Sequence, residues 1–83
     1  MTYEIIWRLQ ATDVATRFLK DDPDGLRQVF AAVDLLAGDP RPPGTAEYGS
    51  PDLRRMHVGM YRLLYEIADA TITIVIIHIG RLG

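Results

Sequence analysis

The segments LRRMHVGMYRLLYEI (residues 53–67) and TITIVIIHI (residues 71–79) are rich in β-branched and aromatic residues, which favour strands. Gly59 and residues 68–70 interrupt this pattern where hairpin reversals would fall. The two segments therefore predict three successive antiparallel strands. The last of them is apolar on both faces, and we expect it to be central in the sheet.

Charged residues gather on one face of this predicted sheet. Strand alternation places Arg55 and His57 on the same face of the first strand and Arg54 on the opposite face, while Arg62 opens the next strand. An arginine side chain is a planar, permanently charged fork that matches a phosphate group. The pattern therefore indicates a phosphate-binding face, and we expect Arg54 to be a surface or partner contact.

The upstream segments predict an outer strand and a first helix. Residues 2–9 alternate as a strand and are expected to join the edge of the same sheet. Thr12 or Asp13 can cap a short helix that runs to about Lys20, where the following Asp-Asp-Pro stops it.

A second helix is predicted from Asp24 to Gly38, because a glycine at that point suits a helix end. Its apolar residues form one continuous stripe: Leu26, Val29, Phe30, Val33, Leu36 and Ala37. Residues 39–52 hold too many prolines and glycines for a helix or a strand, and we expect a long loop there.

The predicted order of elements is β-α-α-β-β-β. It describes an α+β fold in which a helical hairpin packs on one side of a small, mainly antiparallel, curved sheet. The 83 residues suffice for one domain, residues 1–83. We expect the other face of the sheet to be concave or covered by a partner.

Composition argues against several classes of protein. The sequence has no cysteine and only two histidines, His57 and His78, so we expect no disulfide, no metal site and no cofactor. The longest apolar run, residues 74–77, is far shorter than the roughly 20 residues of a membrane span. The first residues also lack the pattern of a signal peptide. We therefore expect a cytoplasmic protein without a membrane partner.

Charge is divided unevenly along the chain. Residues 1–52 carry five basic and nine acidic side chains, a balance of −4, and residues 53–83 carry four and two, a balance of +2, which together give the net charge of −2. The negative total argues against nucleic-acid binding by bulk electrostatics. The positive part coincides with the predicted sheet.

Four motifs follow one another along nearly the whole chain: a helix followed by GDPRPPG, a strand of pattern LxRxHxG, the segment YRLLYEI, and an Ile/Val-rich strand that ends in Gly80-Arg81. Their order resembles the RelE/ParE superfamily of bacterial toxins, on the RelE side. The most specific part of the resemblance is Gly59-x-Tyr61-Arg62-x-x-Tyr65.

The resemblance implies a toxin of a type II toxin-antitoxin system. Its expected activity is that of a ribosome-dependent mRNA endoribonuclease, an mRNA interferase that inhibits translation. The implied partners are a cognate RelB-like antitoxin, the ribosome and mRNA. RelE-like toxins also carry a catalytic tyrosine or histidine in a short tail, which has no counterpart after residues 81–83, so we expect weak catalysis.

The same resemblance assigns the candidate catalytic residues. Basic side chains that hold the scissile phosphate in RelE-like enzymes match Arg55, His57 and Arg62 of this sequence. A further basic residue at the end of the last strand matches Arg81, within one position.

Cleavage of RNA by this route requires a base for the 2′-hydroxyl, positive charge for the phosphorane and an acid for the leaving 5′-oxygen. The guanidinium groups of Arg55 and Arg62 suit the positive charge, and the imidazole of His57 suits the base or the acid. A structural role for His57 at the sheet surface fits the sequence equally well. The arginines can instead form salt bridges with Glu66, Asp69 or an antitoxin carboxylate.

Structural roles are expected for the remaining polar and aromatic candidates. His78 lies among isoleucines and is predicted to be packed near the strand end. Tyr61 and Tyr65 are predicted to be core or rim aromatics, and Arg41 to be a solvated loop residue.

Two other functions stay open. A catalytically weak or inactive toxin homologue would act as an antitoxin-binding module and co-repressor, and a ParE-like toxin would inhibit DNA gyrase. The pattern of His57 and Arg62 favours the endoribonuclease over the gyrase inhibitor. The missing tail residue favours the binding module over both.

Overall fold

A computed structural model describes residues 2–82 as two helices packed against one face of a five-stranded sheet. The elements are β1 (Glu4–Trp7), α1 (Leu9–Asp21), α2 (Pro23–Leu36), β2 (Thr45–Ser50), β3 (Leu53–Val58), β4 (Tyr61–Ala68) and β5 (Thr73–Arg81). The strand order across the sheet is β1-β5-β4-β3-β2, in which β1 runs parallel to β5 and every other pair is antiparallel. The predicted α+β fold is confirmed.

The helices and the sheet enclose one apolar core. β4 contributes every second residue to it, because alternate side chains of a strand point to the same face. The buried residues are Ala11, Ala15, Leu26, Val29, Val33, Leu36, Met56, Tyr61, Leu63, Tyr65, Ile67, Ile74, Ile76 and Ile79. They confirm most of the predicted stripe of α2, and β5 has a strand on either side, as its apolar faces predict.

α1 begins four to five residues before its predicted start. It starts at Leu9, directly after β1, so the expected caps Thr12 and Asp13 lie inside the helix. Its N-cap residue is Arg8, whose side chain makes no capping hydrogen bond. The first turn is closed by the backbone instead, since the N–H of Thr12 donates to the carbonyl of Arg8. Neither helix of residues 2–82 is long and apolar enough to cross a membrane.

α2 also begins slightly before the residue predicted. Pro23 occupies its first turn, where a missing backbone N–H has no cost. Asp22 is the N-cap, and its carboxylate accepts a hydrogen bond of 3.1 Å from the N–H of Gly25. The predicted Asp-Asp-Pro boundary between the helices is confirmed.

β2 lies inside the segment for which the sequence predicts a loop. It pairs with β3 at the edge of the sheet, and the prolines of the segment flank it without interrupting it. Gly49 has a φ of 82°, which accommodates the bulge between Glu47 and Ser50. Five of the six residues of β2 are exposed. Besides the backbone pairing, the guanidinium of Arg54 in β3 holds the strand by donating hydrogen bonds to Oγ1 and to the carbonyl oxygen of Thr45. No apolar alternation marks the strand in the sequence.

β5 carries one residue that has no partner in the register with β4. Tyr65 lies opposite Ile76, whereas the preceding Leu64 lies opposite His78, so Ile77 is the extra residue. A bulge of this kind re-aims the side chains that follow it. We call it the Ile77 bulge.

The Ile77 bulge changes the face on which His78 lies. Strict alternation would place His78 on the buried face with Ile76. In the structure Ile76 and Ile79 are both fully buried, and His78 between them is exposed on the other face. The expectation that His78 is packed among isoleucines is therefore wrong.

Candidate functional site

The sheet face that the helices leave uncovered, which we call the open face, carries most of the predicted site residues. Residues directly opposite each other in an antiparallel pair share a face. His57 lies opposite Arg62 in one such row. In the next row, Arg55 of β3 and His78 of β5 both lie opposite Leu64 of β4. The open face thus brings two arginines and two histidines together.

A pocket of about 140 Å³ opens on this face. Its lining residues are Tyr48, Arg55, Arg62, Leu63, Leu64 and His78, and we call it the cationic pocket. Leu64 is half-buried and lies between Arg55 and His78 in the row. Because a water molecule takes about 30 Å³ in the liquid, the pocket has room for a small anion.

Both arginines of the cationic pocket are free to bind an anion. Within residues 2–82, neither Arg55 nor Arg62 forms a salt bridge. The alternative of a pair with Glu66 or Asp69 is therefore not realised in this structure. The guanidinium groups keep their charge and their donors for a ligand.

Tyr48 of β2 supports one of these guanidinium groups. The guanidinium carbon of Arg55 lies 4.7 Å from the centre of the Tyr48 ring, within the range of a cation–π contact. The ring is 48% exposed, so part of its surface remains accessible from the pocket. The tyrosine can therefore orient Arg55 and still offer a surface for stacking on a base.

His57 lies on the open face, as predicted, but outside the lining of the cationic pocket. It occupies the row nearer the turn between β3 and β4 and is exposed. The structure thus brings Arg55 and Arg62 together with His78 and leaves His57 beside them.

Arg81 lies on the opposite, helix-covered face of the sheet. It pairs in register with the buried Tyr61, so the two side chains share a face. Its guanidinium forms a salt bridge with Asp21 of α1 and lies 5.8 Å from the centre of the Tyr61 ring. The hydrogen bond with Asp21 raises the pKa of Arg81. The expected grouping of Arg81 with Arg55 and Arg62 is therefore not formed.

Arg41 is held by carboxylates and is not the freely solvated residue that its loop position predicts. Its guanidinium lies 3.1 Å from Asp52 and 3.2 Å from Asp69, and Tyr3 donates a 2.6 Å hydrogen bond to Asp69. The bond from Tyr3, followed by that from Arg41, lowers the pKa of Asp69. This cluster joins the loop before β2 to the turn before β5, away from the cationic pocket.

The amino-acid pattern does not predict two residues of the cationic pocket, His78 and Tyr48, and the reasons differ. Strict alternation predicts the wrong face for His78, because the Ile77 bulge reverses the alternation along β5. Tyr48 is not predicted, because it lies in an exposed edge strand whose composition is typical of a loop. An exposed aromatic residue between Ala46 and Gly49 was the one available signal for Tyr48.

A second surface feature lies on the helix side of the sheet. A groove of about 250 Å³ is lined by Trp7, Thr12, Ala15, Thr16, Leu19 and Phe30, and we call it the apolar groove. Leu9 continues the same stripe of α1 and is 76% exposed. Apolar surface of this kind commonly marks a protein-binding site. Throughout residues 2–82, no group of three or more His, Asp or Glu side chains is placed to hold a metal ion.

A model of the family described as "ParE toxin of type II toxin-antitoxin system, parDE" matches residues 5–81 of this chain. No curated protein sequence matches this chain. The match spans every helix and strand except the first residue of β1.

Solved structures of toxins share the fold. The isolated RelE toxin of E. coli superposes with a TM-score of 0.84 at 18% identity, over 98% of this chain and 85% of its own. The RelE-RelB complex from Pyrococcus horikoshii superposes with a TM-score of 0.79 at 24% identity, over 100% of this chain and 98% of its own. The toxin-antitoxin complex RelBE2 from Mycobacterium tuberculosis superposes with a TM-score of 0.80 at 23% identity, over 98% of this chain and 99% of its own. At these identities the likeness concerns the fold.

Proposed function

Because this chain belongs to the ParE toxins of type II toxin-antitoxin systems, within the RelE/ParE superfamily, we propose that it is a RelE-like, ribosome-dependent mRNA endoribonuclease. The observation that carries this proposal is the cationic pocket, in which Arg55 and Arg62 face a histidine and have no carboxylate partner among the described residues. A ligand with negative charge would satisfy both guanidinium groups at once.

The chemistry of the pocket suits a phosphodiester of RNA. When the 2′-oxygen of RNA attacks phosphorus, negative charge grows on the two non-bridging oxygens, and two permanently charged guanidinium groups stabilise it. The bond to the 5′-oxygen then breaks, which yields a 2′,3′-cyclic phosphate and a 5′-hydroxyl. Arginine is a poor base because it stays protonated, so a histidine of the open face carries the proton.

The negative net charge of the protein supports the proposal that its cleavage of mRNA depends on the ribosome. The net charge of −2 gives the protein little long-range attraction for RNA, although its pocket is locally positive. A site of this kind works best on an mRNA that another particle already holds in position. Free RNA is therefore a poor substrate in this proposal.

The partner that we propose is a cognate antitoxin. The related structures include toxin-antitoxin complexes from Pyrococcus horikoshii and Mycobacterium tuberculosis. In this chain, the apolar groove and the neighbouring Leu9 suit the apolar face of an amphipathic helix, and the open face suits acidic side chains of the same partner. Binding to both surfaces would neutralise the toxin and stabilise its fold.

The test is cleavage of mRNA on programmed ribosomes by the purified chain. Wild type and the charge-matched control R17A/K20A, which alters two exposed basic residues of α1, are expected to cleave, whereas the double variant R55A/R62A is expected to fold but not to cleave. Cleavage by R55A/R62A at the rate of wild type would exclude the proposed site. Absence of cleavage by wild type would exclude the endoribonuclease.

A second candidate is inhibition of DNA gyrase, which the match to the ParE family model favours. It predicts inhibition of supercoiling by wild type in the absence of ribosomes, with no RNA product. If the chain neither cleaves mRNA nor inhibits supercoiling but binds its antitoxin tightly, it is an antitoxin-binding co-repressor.

A further inference from the structure

The two histidines of the open face, His57 and His78, differ in their position relative to the cationic pocket. His78 lines the cationic pocket with Arg55 and Arg62, whereas His57 lies outside it, on the far side of Arg62. Among the residues that line the pocket, His78 is the one whose side chain commonly serves as a general base in catalysis. The position of His78 depends on the Ile77 bulge, which interrupts the regular pairing with β4 inside a strand that has a neighbour on either side.

Gly80 provides the space that the ring of His78 occupies. It is the next residue of β5 on the open face and lies directly opposite Arg62. A Cβ atom at position 80 would come within 3.3 Å of Nε2 of His78, closer than ordinary van der Waals contact. The absence of a side chain there leaves the end of the imidazole clear beside Arg62. A general base needs that access, because its nitrogen must reach the proton that it removes.

We propose that His78, and not His57, is the catalytic residue that removes the proton from the 2′-hydroxyl, with Gly80 keeping its Nε2 accessible. The inference rests on the proposed endoribonuclease function. Neutral His78 takes the 2′-proton, the 2′-oxygen bonds to phosphorus, and the bond from phosphorus to the 5′-oxygen breaks. Water protonates the 5′-oxygen, and the imidazolium returns its proton to the resulting hydroxide. Charge and atoms balance without a further reactant.

The cleavage experiment compares His78→Gln with His57→Gln on programmed ribosomes. Loss of a general base typically costs about 10²–10⁴-fold in rate, so H78Q is expected to fall by this factor and to lose the rise of kcat with pH near neutrality. H57Q is expected to keep the wild-type rate and the wild-type rise of kcat with pH. Free imidazole should partly restore His78→Gly, an effect that a purely structural role does not produce. A slow H57Q beside an active H78Q would overturn the inference and leave the endoribonuclease intact.

The substitution Gly80→Ala tests the role of His78 without replacing the histidine. The added methyl group must displace the imidazole, so G80A is expected to lower kcat by about 10-fold with little change in KM and an unchanged melting temperature. An unchanged kcat in G80A would contradict the role given to Gly80.

A binding measurement separates failure of this inference from failure of the proposed function. We expect a non-cleavable 2′-O-methyl RNA trinucleotide to shift the imidazole NMR signals of His78 more than those of His57. Shifts confined to His57 would overturn the assignment even if the wild type cleaves. Shifts at His78 without any cleavage by wild type would instead refute the endoribonuclease, and with it the catalytic role of His78.

Discussion

The hydroxyl of Tyr61 donates a hydrogen bond of 2.9 Å to Oδ2 of Asp22, which joins β4 to the junction between the two helices. The tyrosine is 1% exposed, and the residue that follows it is Arg62 of the cationic pocket. The bond from the N–H of Gly25, followed by that from Tyr61, lowers the pKa of Asp22. Burial, followed by the bond to Asp22, raises the pKa of Tyr61. The contact thus anchors the strand that carries Arg62.

Removal of this hydroxyl in Tyr61→Phe is expected to destabilise the fold. Loss of one such hydrogen bond typically lowers the melting temperature of a domain of this size by about 4–8 °C. Thermal unfolding followed by circular dichroism measures the shift. Tyr48→Phe is the matched control, because the ring of Tyr48 is half exposed and its contact with Arg55 needs no hydroxyl. Equal melting temperatures for the two variants would contradict the prediction.

Stability is expected to fall in acid through Asp22 and Asp69. Hydrogen bonds to their carboxylates lower both pKa values in the folded state, whereas an unfolded aspartate has a pKa of about 3.9. The stabilisation is therefore present above about pH 4 and is lost as pH falls through the lower, folded-state values. Urea unfolding at a series of pH values measures this loss. The double variant D22N/D69N is expected to show a weaker dependence, and a curve identical to wild type would refute the assignment.

The shape of the cation at position 62 is expected to matter as well as its charge. Arg62→Ala should reduce mRNA cleavage by about 10²–10³-fold, the usual cost of one lost transition-state contact. Arg62→Lys should recover part of this loss, because an ammonium group supplies charge without the planar fork. Single-turnover cleavage on programmed ribosomes separates the three proteins. Full activity in R62K would mean that charge alone is required there.

The apolar groove is expected to contribute to antitoxin binding. Leu19→Glu places a charge in the groove and should weaken binding of the cognate antitoxin by about 10-fold or more, since a buried unpaired carboxylate is unfavourable. Leu35→Glu is the control, because Leu35 is 75% exposed on α2 and does not line the groove. Titration calorimetry gives both affinities. Equal weakening by the two substitutions would assign the effect to net charge.

The order of most elements was predictable because local signals mark them. The hairpin at Gly59 follows from a glycine, which has a φ of 59° in the structure, between two strand-forming segments. The prediction of α2 follows from its apolar stripe and from Gly38 after it. Both features depend on residues close together in the sequence. The same is true of Arg55 and Arg62, which lie on adjacent strands joined by a short turn.

The remaining features depend on long-range pairing, which one sequence does not reveal. Whether Thr45–Ser50 forms a strand is decided by the free edge of β3, and its own residues are nearly all exposed. The side on which His78 and Arg81 lie is decided by a one-residue shift between β4 and β5. Residues 74–77 are uniformly apolar, so they cannot mark where the alternation breaks.

The parallel pairing of β1 with β5 also has a consequence for synthesis on the ribosome. Thr73, the strand partner of Glu4, is translated 69 positions after it. Until then, β1 has no neighbour in the sheet, and closing so long a loop is a slow step in folding. The nascent chain therefore cannot complete its sheet, and cannot hold His78 in place beside Arg62, before β5 has been translated.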